Sequence, residues 1–437
     1  MNALGLIGIL VGLAFLIYAI YKGYSLVIAA PIATIIVALF NGMPFIESFF
    51  TGDKSYTAYL AAFLKGNLPV FLFGAILAKY MDKSGAAVAI AVKLMELVGT
   101  TSPYRALVSL FVISAVLTLG GINIFVVIFI LIPMAKPIFK RYDISWKLVV
   151  PPIFGGGATF TMTMIPGAPS LHNIVPSNAL GTPLTAAPLL GSVSALAAIA
   201  FLMWYMWHTL RKSQKKNEVY ELADDSAGQA SVFDRPRPPF LVSVLPIATL
   251  LAIILGFSFV KQIIIYALVV AIAMSAILFR KYVNQKETIN QGTGDSLTSV
   301  LATGSTIAFG NFAVAVPAFS SIFDAIVGIP GNPYIGLMTG TMILAAITGS
   351  SVGAEGIAVT AFAPHYVEMG LNPETIHRAI AISGGTSLLP HCGFLNVFNG
   401  LAGFELKDTY GRSLIAFHVP HYIGMVIVIL MTSVGLA

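Results

Sequence analysis

The fold is decided by residues 105–141, which have the sequence RALVSLFVISAVLTLGGINIFVVIFILIPMAKPIFKR. This stretch has basic residues at both ends, and its 30 residues from 106 to 135 carry no charge. One straight membrane-spanning helix needs about 20 residues, and two need about twice that number. Two half-length helices that turn at Gly120 and Gly121 would return the chain to the side from which it entered. The stretch therefore predicts a re-entrant helical hairpin, 105–140, whose tip lies at membrane depth.

The composition places this hairpin in a polytopic membrane protein. Of the 437 residues, 57% are hydrophobic and only 10% are charged, and the mean hydropathy is +0.89; soluble domains have about 25% charged residues. The net charge of +6 fits the Lys and Arg surplus of cytoplasmic loops, so no nucleic acid partner is expected. Cys392 is the single cysteine, which excludes an internal disulfide. The N-terminal apolar stretch lacks the basic start of a signal peptide and is expected to be a retained span.

The second half of the chain repeats the order of features in the first half. The tip at 120–123 corresponds to 349–356, Gly155–Gly157 to Gly384–Gly385, and Pro166 to Pro390. The predicted fold is thus an all-α polytopic membrane protein with about 10–11 transmembrane helices and two re-entrant hairpins in an inverted repeat. The predicted divisions are a first repeat, 1–210 (scaffold spans 3–82, hairpin 105–140, broken helix 146–180), a cytoplasmic linker, 211–239, and a second repeat, 240–437 (scaffold spans 240–316, hairpin 333–368, broken helix 374–402).

The distribution of basic residues predicts the orientation. If the first hairpin opens to the cytoplasm, both termini lie outside, and 20 of the 24 Lys and Arg residues fall on the cytoplasmic side. The exceptions are Lys54, Lys65, Lys261 and Arg378. Inverted repeats with broken helices are typical of secondary transporters, which bind substrate near the bilayer midplane. We therefore expect a multi-pass transporter, and no enzyme, in the cytoplasmic (inner) membrane of a bacterium.

Three motifs resemble the gluconate permease family of the ion transporter superfamily. They are MIPGAPSLHNIVPSNALGTPLTAAPLLG at 164–191, TGSS at 348–351 and SGGTSLLPH at 383–391. The resemblance implies import of a sugar acid or small hydroxy acid, usually together with protons. Related families couple to sodium, form homodimers and move a transport domain against a fixed scaffold. The resemblance thus implies a homodimer and an elevator-type mechanism, with 105–183 and 333–412 as the transport domain.

The tips and unwound loops contain polar residues that could bind an organic anion. They contain no Lys or Arg, so the anion would be bound by Ser, Thr, Asn and His side chains and by N–H groups at helix N-termini. The candidate substrate-binding residues are Gly121, Asn123, Ser170, Asn173, Ser350, Ser351, Thr386, Ser387, His391 and Asn396. The alternative for each hydroxyl is a hydrogen bond to a carbonyl of its own helix.

Glu355 is the candidate proton-coupling residue, because it is the only carboxylate in either tip. Burial and a nearby anion both disfavour a charged carboxylate, so proton and substrate would favour each other's binding. His391 is a second candidate, since histidine gains and loses a proton near neutral pH. The alternatives are that Glu355 faces water, that His391 bonds a hairpin carbonyl, and that sodium is the coupling ion. No cofactor and no metal site are expected. His172, beside Asn173, is a secondary candidate for the same roles as His391, whereas His418 and His421 are interpreted as structural.

The two rival functions are a serine hydrolase and a passive anion channel. The segment 349–353 fits the G-x-S-x-G motif of serine hydrolases, which requires a strand–turn–helix elbow with a placed His and acid. A passive anion channel would instead need a pore with a selectivity filter. The inverted repeat favours alternating access over both.

Overall fold

The computed structural model describes residues 3–90, 93, 102–119, 124–168, 170–221, 236–257 and 263–436. Every regular element within these ranges is helical. The α-helices are α1 (Ala3–Tyr21), α2 (Leu26–Phe40), α3 (Tyr56–Lys83), α4 (Pro103–Leu119), α5 (Ile124–Arg141), α6 (Val150–Gly157), α7 (Phe160–Thr163), α8 (Leu171–Leu180), α9 (Pro188–Lys215), α10 (Phe240–Gly256), α11 (Ile263–Leu278), α12 (Gln285–Ala315), α13 (Phe319–Val327), α14 (Pro333–Thr348), α15 (Ser351–Ala361), α16 (Ala363–Glu368), α17 (Pro373–Gly384), α18 (Gly393–Ala402) and α19 (Leu406–Ser433). A π-helical turn, Glu47–Thr51, precedes α3, and a 3₁₀ turn, Trp146–Val149, precedes α6.

Several of these helices have the length and composition of membrane spans. Within the described ranges, five are long and apolar enough to cross a membrane: α1, α3 with its preceding π-turn, α9, α12 and α19. Shorter apolar helices include α2, α4, α10, α11 and α14. The predicted all-α polytopic membrane fold is confirmed. The number of spans and the division into scaffold and transport domains stay predictions.

The helices α3 and α12 are longer than the sequence indicated. From the apolar runs of the two scaffold parts, the sequence predicts spans at 68–82 and 296–316, but both helices begin 11 to 12 residues earlier. Each start is capped by a polar side chain: Ser55 and Asn284 each accept a backbone N–H of the first turn at 3.2 Å. The two helices therefore extend beyond the charged residues that bound the predicted spans. A long charged side chain can extend to water and leave the helix intact.

The same two helices pack antiparallel to each other and join the two halves of the chain. A Cβ atom added at Gly292 of α12 would lie 2.7 Å from Ile76 Cα of α3, so glycine permits this close approach. Lys79 Nζ lies 3.0 Å from Asp295 Oδ2 at the same interface. This pair is partly exposed and contributes about 0–1 kcal/mol, so apolar packing dominates the contact.

The second hairpin turns in two residues. Gly349 has a left-handed backbone (φ +58°), which ends α14, and the Ser350 hydroxyl accepts the Gly353 N–H at 3.2 Å, which begins α15. The tip predicted at 349–356 is therefore too long, because Glu355 lies in the second turn of α15. The first hairpin comprises α4 and α5, which contact each other. Its tip, with the candidates Gly121 and Asn123, lies outside the described residues.

Each half contains one interrupted helix. In the first half α6 and α7 lead into irregular backbone before α8, and in the second half α17 is separated from α18 by residues 385–392. Glycines allow neighbouring elements to approach these interruptions closely. A Cβ at Gly156 would lie 2.3 Å from Phe111 O of α4, and one at Gly385 would lie 2.0 Å from His421 Nε2 of α19. Side chains larger than hydrogen would therefore separate these elements.

Candidate functional site

A cavity of about 750 Å³ lies where the hairpins and the interrupted helices meet. Three helices, α8, α15 and α18, begin at its wall with Leu171, Ser351 and Gly393. The described part of α5 also begins there, at Ile124. Each helix N-terminus has unpaired N–H groups and about half a positive charge. The volume suits a small ligand, and the helix ends favour a negatively charged one.

Four of the predicted substrate-binding residues line this cavity: Ser170, Ser350, Ser351 and Ser387. The hydroxyl oxygens of Ser351 and Ser387 lie 2.8 Å apart, which joins the second hairpin to the unwound loop of its own half. The Ser170 hydroxyl donates to Met162 O at 2.5 Å. All four hydroxyls thus have protein partners, and each oxygen keeps a further lone pair for a ligand or water.

Four other candidates are absent from the cavity wall within the described residues. The Asn173 amide donates to Ala168 O at 2.9 Å, Asn396 donates to Pro390 O at 2.9 Å, and Thr386 donates to Ser383 O at 2.7 Å. These bonds hold the irregular backbone of the two interruptions in place. Direct binding of substrate by these residues stays a prediction.

His391 is the fourth candidate that is absent from the cavity wall within the described residues. Its ring is fully buried against the turn of the second hairpin, where a Cβ at Gly349 would lie 2.8 Å from His391 Cδ2. Neither ring nitrogen has a hydrogen-bond partner among the described residues. The ring therefore packs between the hairpin turn and the second interruption, and glycine at position 349 provides the space.

Glu355 forms the central polar contact of the site. Its side chain is fully buried, and its Oε1 lies 2.7 Å from His172 Nδ1. His172 lies in the cavity wall at the start of α8, so this pair connects the second hairpin to the interrupted helix of the first half. The sequence indicates Glu355 as the coupling residue and His172 only as a secondary candidate behind His391. Only the tertiary structure brings together Glu355 and His172, which are 183 positions apart.

The surroundings of Glu355 leave little room for water. A Cβ added at Gly384 would lie 2.7 Å from Glu355 Cγ, so α17 packs directly against the carboxylate side chain. The second oxygen, Oε2, is buried without a hydrogen-bond partner among the described residues. An unpaired carboxylate oxygen is costly in such an environment. This geometry favours a carboxyl group that can take up a proton.

Arg378 is a functional candidate that the sequence analysis missed. It was counted among the residues outside the membrane, but its side chain in α17 is fully buried. Its guanidinium donates to Asn173 Oδ1 at 2.7 Å, to Thr163 O at 3.1 Å and to Ala186 O at 3.0 Å. All these acceptors are neutral. The positive charge therefore lies behind the cavity wall next to Asn173, without a carboxylate in direct contact among the described residues.

Two more contacts connect α17 with the loop before α9. Thr182 Oγ1 lies 2.7 Å from His377 Nδ1, and the Ala187 N–H donates to Glu374 Oε2 at 3.0 Å. Together with Arg378 they fasten this loop to α17 across the two halves of the chain. The second hairpin, α8, α17 and the loop before α9 are thus joined by hydrogen bonds across the two halves.

The buried charges of the described residues balance. Among their Asp, Glu, Lys and Arg side chains, Glu355 and Arg378 are the buried ones, one of each sign. His172 is hydrogen-bonded to Glu355, and the next residue, Asn173, accepts a hydrogen bond from Arg378. The two charges are therefore linked through consecutive residues of α8. A sequence signal existed for Glu355, because a single ionisable residue between long apolar runs is usually functional in membranes. Arg378 follows Glu374 by four residues and so resembles part of a charged helix start.

A helical membrane protein with two interrupted helices and a polar cavity between them has the architecture of a membrane transporter. The chain is 30% identical to the "uncharacterized transporter YxjC" of Bacillus subtilis (strain 168), over 93% of this chain and 94% of that protein. The chain therefore belongs to the same family of membrane transport proteins as YxjC.

No known family model matches the chain. A solved structure of MtrF from Neisseria gonorrhoeae, described as illuminating a class of antimetabolite efflux pumps, is 14% identical and matches 86% of this chain and 82% of that chain with a TM-score of 0.35.

Proposed function

We propose that this transporter imports a small organic anion, a hydroxy acid or a sugar acid, by proton symport. The observation that carries the proposal is the convergence of helix N-termini on one cavity, at Leu171, Ser351 and Gly393, with α5 close by. A carboxylate in this cavity would accept N–H groups from several helix ends. Each end stabilises an anion by about 0.3–1 kcal/mol. The motifs that resemble the gluconate permease family support the same class of substrate.

Glu355 provides the coupling in this proposal. With Glu355 ionised, its charge and that of Arg378 balance, and an added anion would leave a net negative charge in the interior. Protonation of Glu355 leaves the Arg378 charge unmatched, and a bound anion then restores neutrality. Proton and anion therefore favour each other's binding, which is the thermodynamic requirement of symport. The bond from Glu355 Oε1 to His172 Nδ1 (2.7 Å) links this proton to the cavity wall.

The proposed motion is an elevator movement of a transport domain, 105–183 and 333–412, against a scaffold of 3–82 and 240–316. The contacts of Glu355 with His172 and of Arg378 with Asn173 support it, because they fasten elements of both halves around the cavity. In contrast, α3 and α12 contact each other in the scaffold part. We place the protein in the bacterial cytoplasmic membrane as a homodimer with both termini outside; light scattering of the purified protein tests the dimer.

The rival functions are less well supported. A serine hydrolase elbow needs a strand before the nucleophile, but Ser351 follows α14 at a helical turn. The partner of its hydroxyl oxygen is Ser387 at 2.8 Å rather than a histidine. The position of Ser351 at the start of α15 instead suits the binding of an anion.

The test is uptake of labelled C4–C6 hydroxy acids and sugar acids into proteoliposomes. We expect accumulation driven by a proton gradient. In the Glu355→Gln variant, the neutral side chain mimics the protonated state, so accumulation should stop while exchange of internal for external substrate continues. Glu368→Gln, a change at an exposed carboxylate of the same half, is the matched control and should behave like the wild type.

Other outcomes would revise the proposal in distinct ways. Accumulation driven only by a sodium gradient would replace the proton by sodium and leave the substrate class intact. Proton-driven uptake that survives in Glu355→Gln would remove Glu355 from the coupling mechanism. Downhill flux that neither gradient drives uphill would instead indicate a passive anion channel.

A further inference from the structure

A second cavity, of about 400 Å³, lies between the C-terminal end of α9 and the N-terminal start of α19. Its wall contains four cationic side chains, Lys212, Lys216, Lys407 and Arg412, and two carboxylates. Two positive charges therefore remain unmatched in a partly enclosed space. These side chains lie in a partly enclosed groove between the two helices and not on a flat surface.

The carboxylates in this cavity already have cationic neighbours. Glu218 Oε2 lies 3.9 Å from Arg412 Nη2, and Asp408 Oδ1 lies 3.3 Å from a lysine ammonium outside the cavity. Lys212 and Lys216 form no ion pair with a carboxylate of the described residues. Both lie on the same face of α9, one turn apart. Two ammonium groups are thus available to one ligand with a negative charge.

The position of the cavity along α9 identifies the level of the membrane boundary. Trp204 and Trp207, one to two turns before Lys212, are 52% and 45% exposed. Half-exposed tryptophans are typical of the membrane–water interface, where lipid headgroups lie. Beyond the cavity, on the face of α19 that lines it, Tyr422 and Val426 are 40% and 54% exposed and present an apolar surface. A ligand in the cavity would have headgroup surroundings, with acyl-chain surroundings next to it.

We propose that this cavity binds the phosphate headgroup of an anionic phospholipid, with Lys212 and Lys216 as its main contacts. Basic pockets between transmembrane helices suit lipid headgroups, because the phosphate is bound by the cations while the acyl chains pack on the apolar helix faces. A soluble phosphate would use the cations but gain nothing from the apolar surface of α19. This surface is the reason for assigning the site to a lipid. The proposal is independent of the transported substrate and of the coupling ion.

The test compares two double variants that each remove two positive charges from the same end of α9. Lys212→Gln with Lys216→Gln changes the cavity wall, and Arg211→Gln with Lys215→Gln changes cations of the same helix that do not line it. The full-length proteins are extracted from nanodiscs with equal amounts of phosphatidylglycerol and phosphatidylethanolamine, and bound lipids are counted by native mass spectrometry. We expect the wild type and the control to retain phosphatidylglycerol preferentially, and the cavity variant to retain about tenfold less.

Three results would overturn the proposal. Equal losses in both double variants would indicate diffuse surface attraction, and equal retention in all three proteins would exclude these lysines. Displacement of the lipid by millimolar inorganic phosphate would identify a site for a soluble phosphate. Melting curves on addition of phosphatidylglycerol provide a second measurement, in which the wild type and the control should be stabilised more than the cavity variant.

Discussion

At the scale of single residues, the chemistry of the site depends mostly on two buried charges, Glu355 and Arg378. A charged side chain at the centre of a membrane helix costs about 2.5–3.5 kcal/mol on insertion scales. Among the described residues, Glu355 has one hydrogen bond, to His172, and Arg378 has only neutral acceptors. Neither arrangement is the close ion pair that would best reduce this cost. We infer that the separation of the two charges serves the binding of a third charge, that of the substrate.

The Arg378 charge can be tested apart from its hydrogen bonds. Arg378→Lys keeps the charge, whereas Arg378→Gln removes it and keeps an amide donor. We expect Arg378→Gln to raise the KM for the anion about tenfold or more, with a smaller change in the maximal rate, because a buried hydrogen-bonded charge contributes about 1.5–3 kcal/mol. Arg378→Lys should raise the KM less. The measurement is initial uptake as a function of substrate concentration.

A purely structural role of Arg378 would give a different pattern. Both substitutions would then lower the amount of folded protein and the maximal rate in parallel, with an unchanged KM. Size-exclusion profiles of the two variants separate loss of fold from loss of affinity.

At the scale of elements, the second hairpin is the natural candidate for a gate. It ends in a two-residue turn, and the 2.8 Å contact of Ser351 with Ser387 connects its tip to the second interruption. This contact consists of one weak hydrogen bond between neutral hydroxyls, worth about 0.5–1.5 kcal/mol. Such a contact can open and close during transport. The more extensive contacts of α3 with α12 are less suited to such a movement.

A disulfide at this contact should lock the hairpin. In a Cys392→Ala background, Ser351→Cys with Ser387→Cys places two thiols where the hydroxyl oxygens are 2.8 Å apart. We expect oxidation to form the bond, to stop substrate exchange and to prevent labelling of either thiol, and a reductant should reverse all three effects. The single-cysteine variants are the controls and should not respond to the oxidant. A disulfide that forms without any effect on exchange would show that the hairpin does not gate the cavity.

At the scale of the whole molecule, the charge distribution predicts the orientation. The linker 211–239 has six basic residues and, by the positive-inside rule, lies in the cytoplasm with both termini outside. The proposed lipid site lies next to this linker, at the end of α9. It would therefore bind lipids of the cytoplasmic leaflet.

Labelling in intact cells tests this orientation. In the Cys392→Ala background, Gln214→Cys places a thiol at the exposed end of α9 and Leu436→Cys places one at the exposed C-terminal end. A maleimide that cannot cross membranes should label Leu436→Cys in intact cells and Gln214→Cys only after the cells are opened. The reverse pattern would mean that the repeats are inserted the other way round.

The class of the protein and the positions of its helix interruptions could be predicted from the sequence, because both are local properties. Low charge with long apolar runs requires a membrane, and clustered glycine or proline favours the end of a helix, as at Gly155–Gly157, where α6 ends, and at Pro390 in the second interruption. Helix ends were predicted less well. The starts of α3 and α12 depend on the caps Ser55 and Asn284 and on packing between the two helices, and charge alone does not mark them.

The composition of the site was decided by the tertiary structure. Glu355 could be chosen from the sequence as an isolated carboxylate, but its partner His172 lies 183 positions away in the other half of the chain. Arg378 lies close to charged and polar residues at the start of a helix, which in the sequence indicates a position outside the membrane. The packing of α17 buries it beside Asn173. Which helix N-termini share one cavity also depends on how the two halves pack. Hydrophobic patterning determines which segments enter the membrane, whereas packing between distant segments determines which side chains meet there.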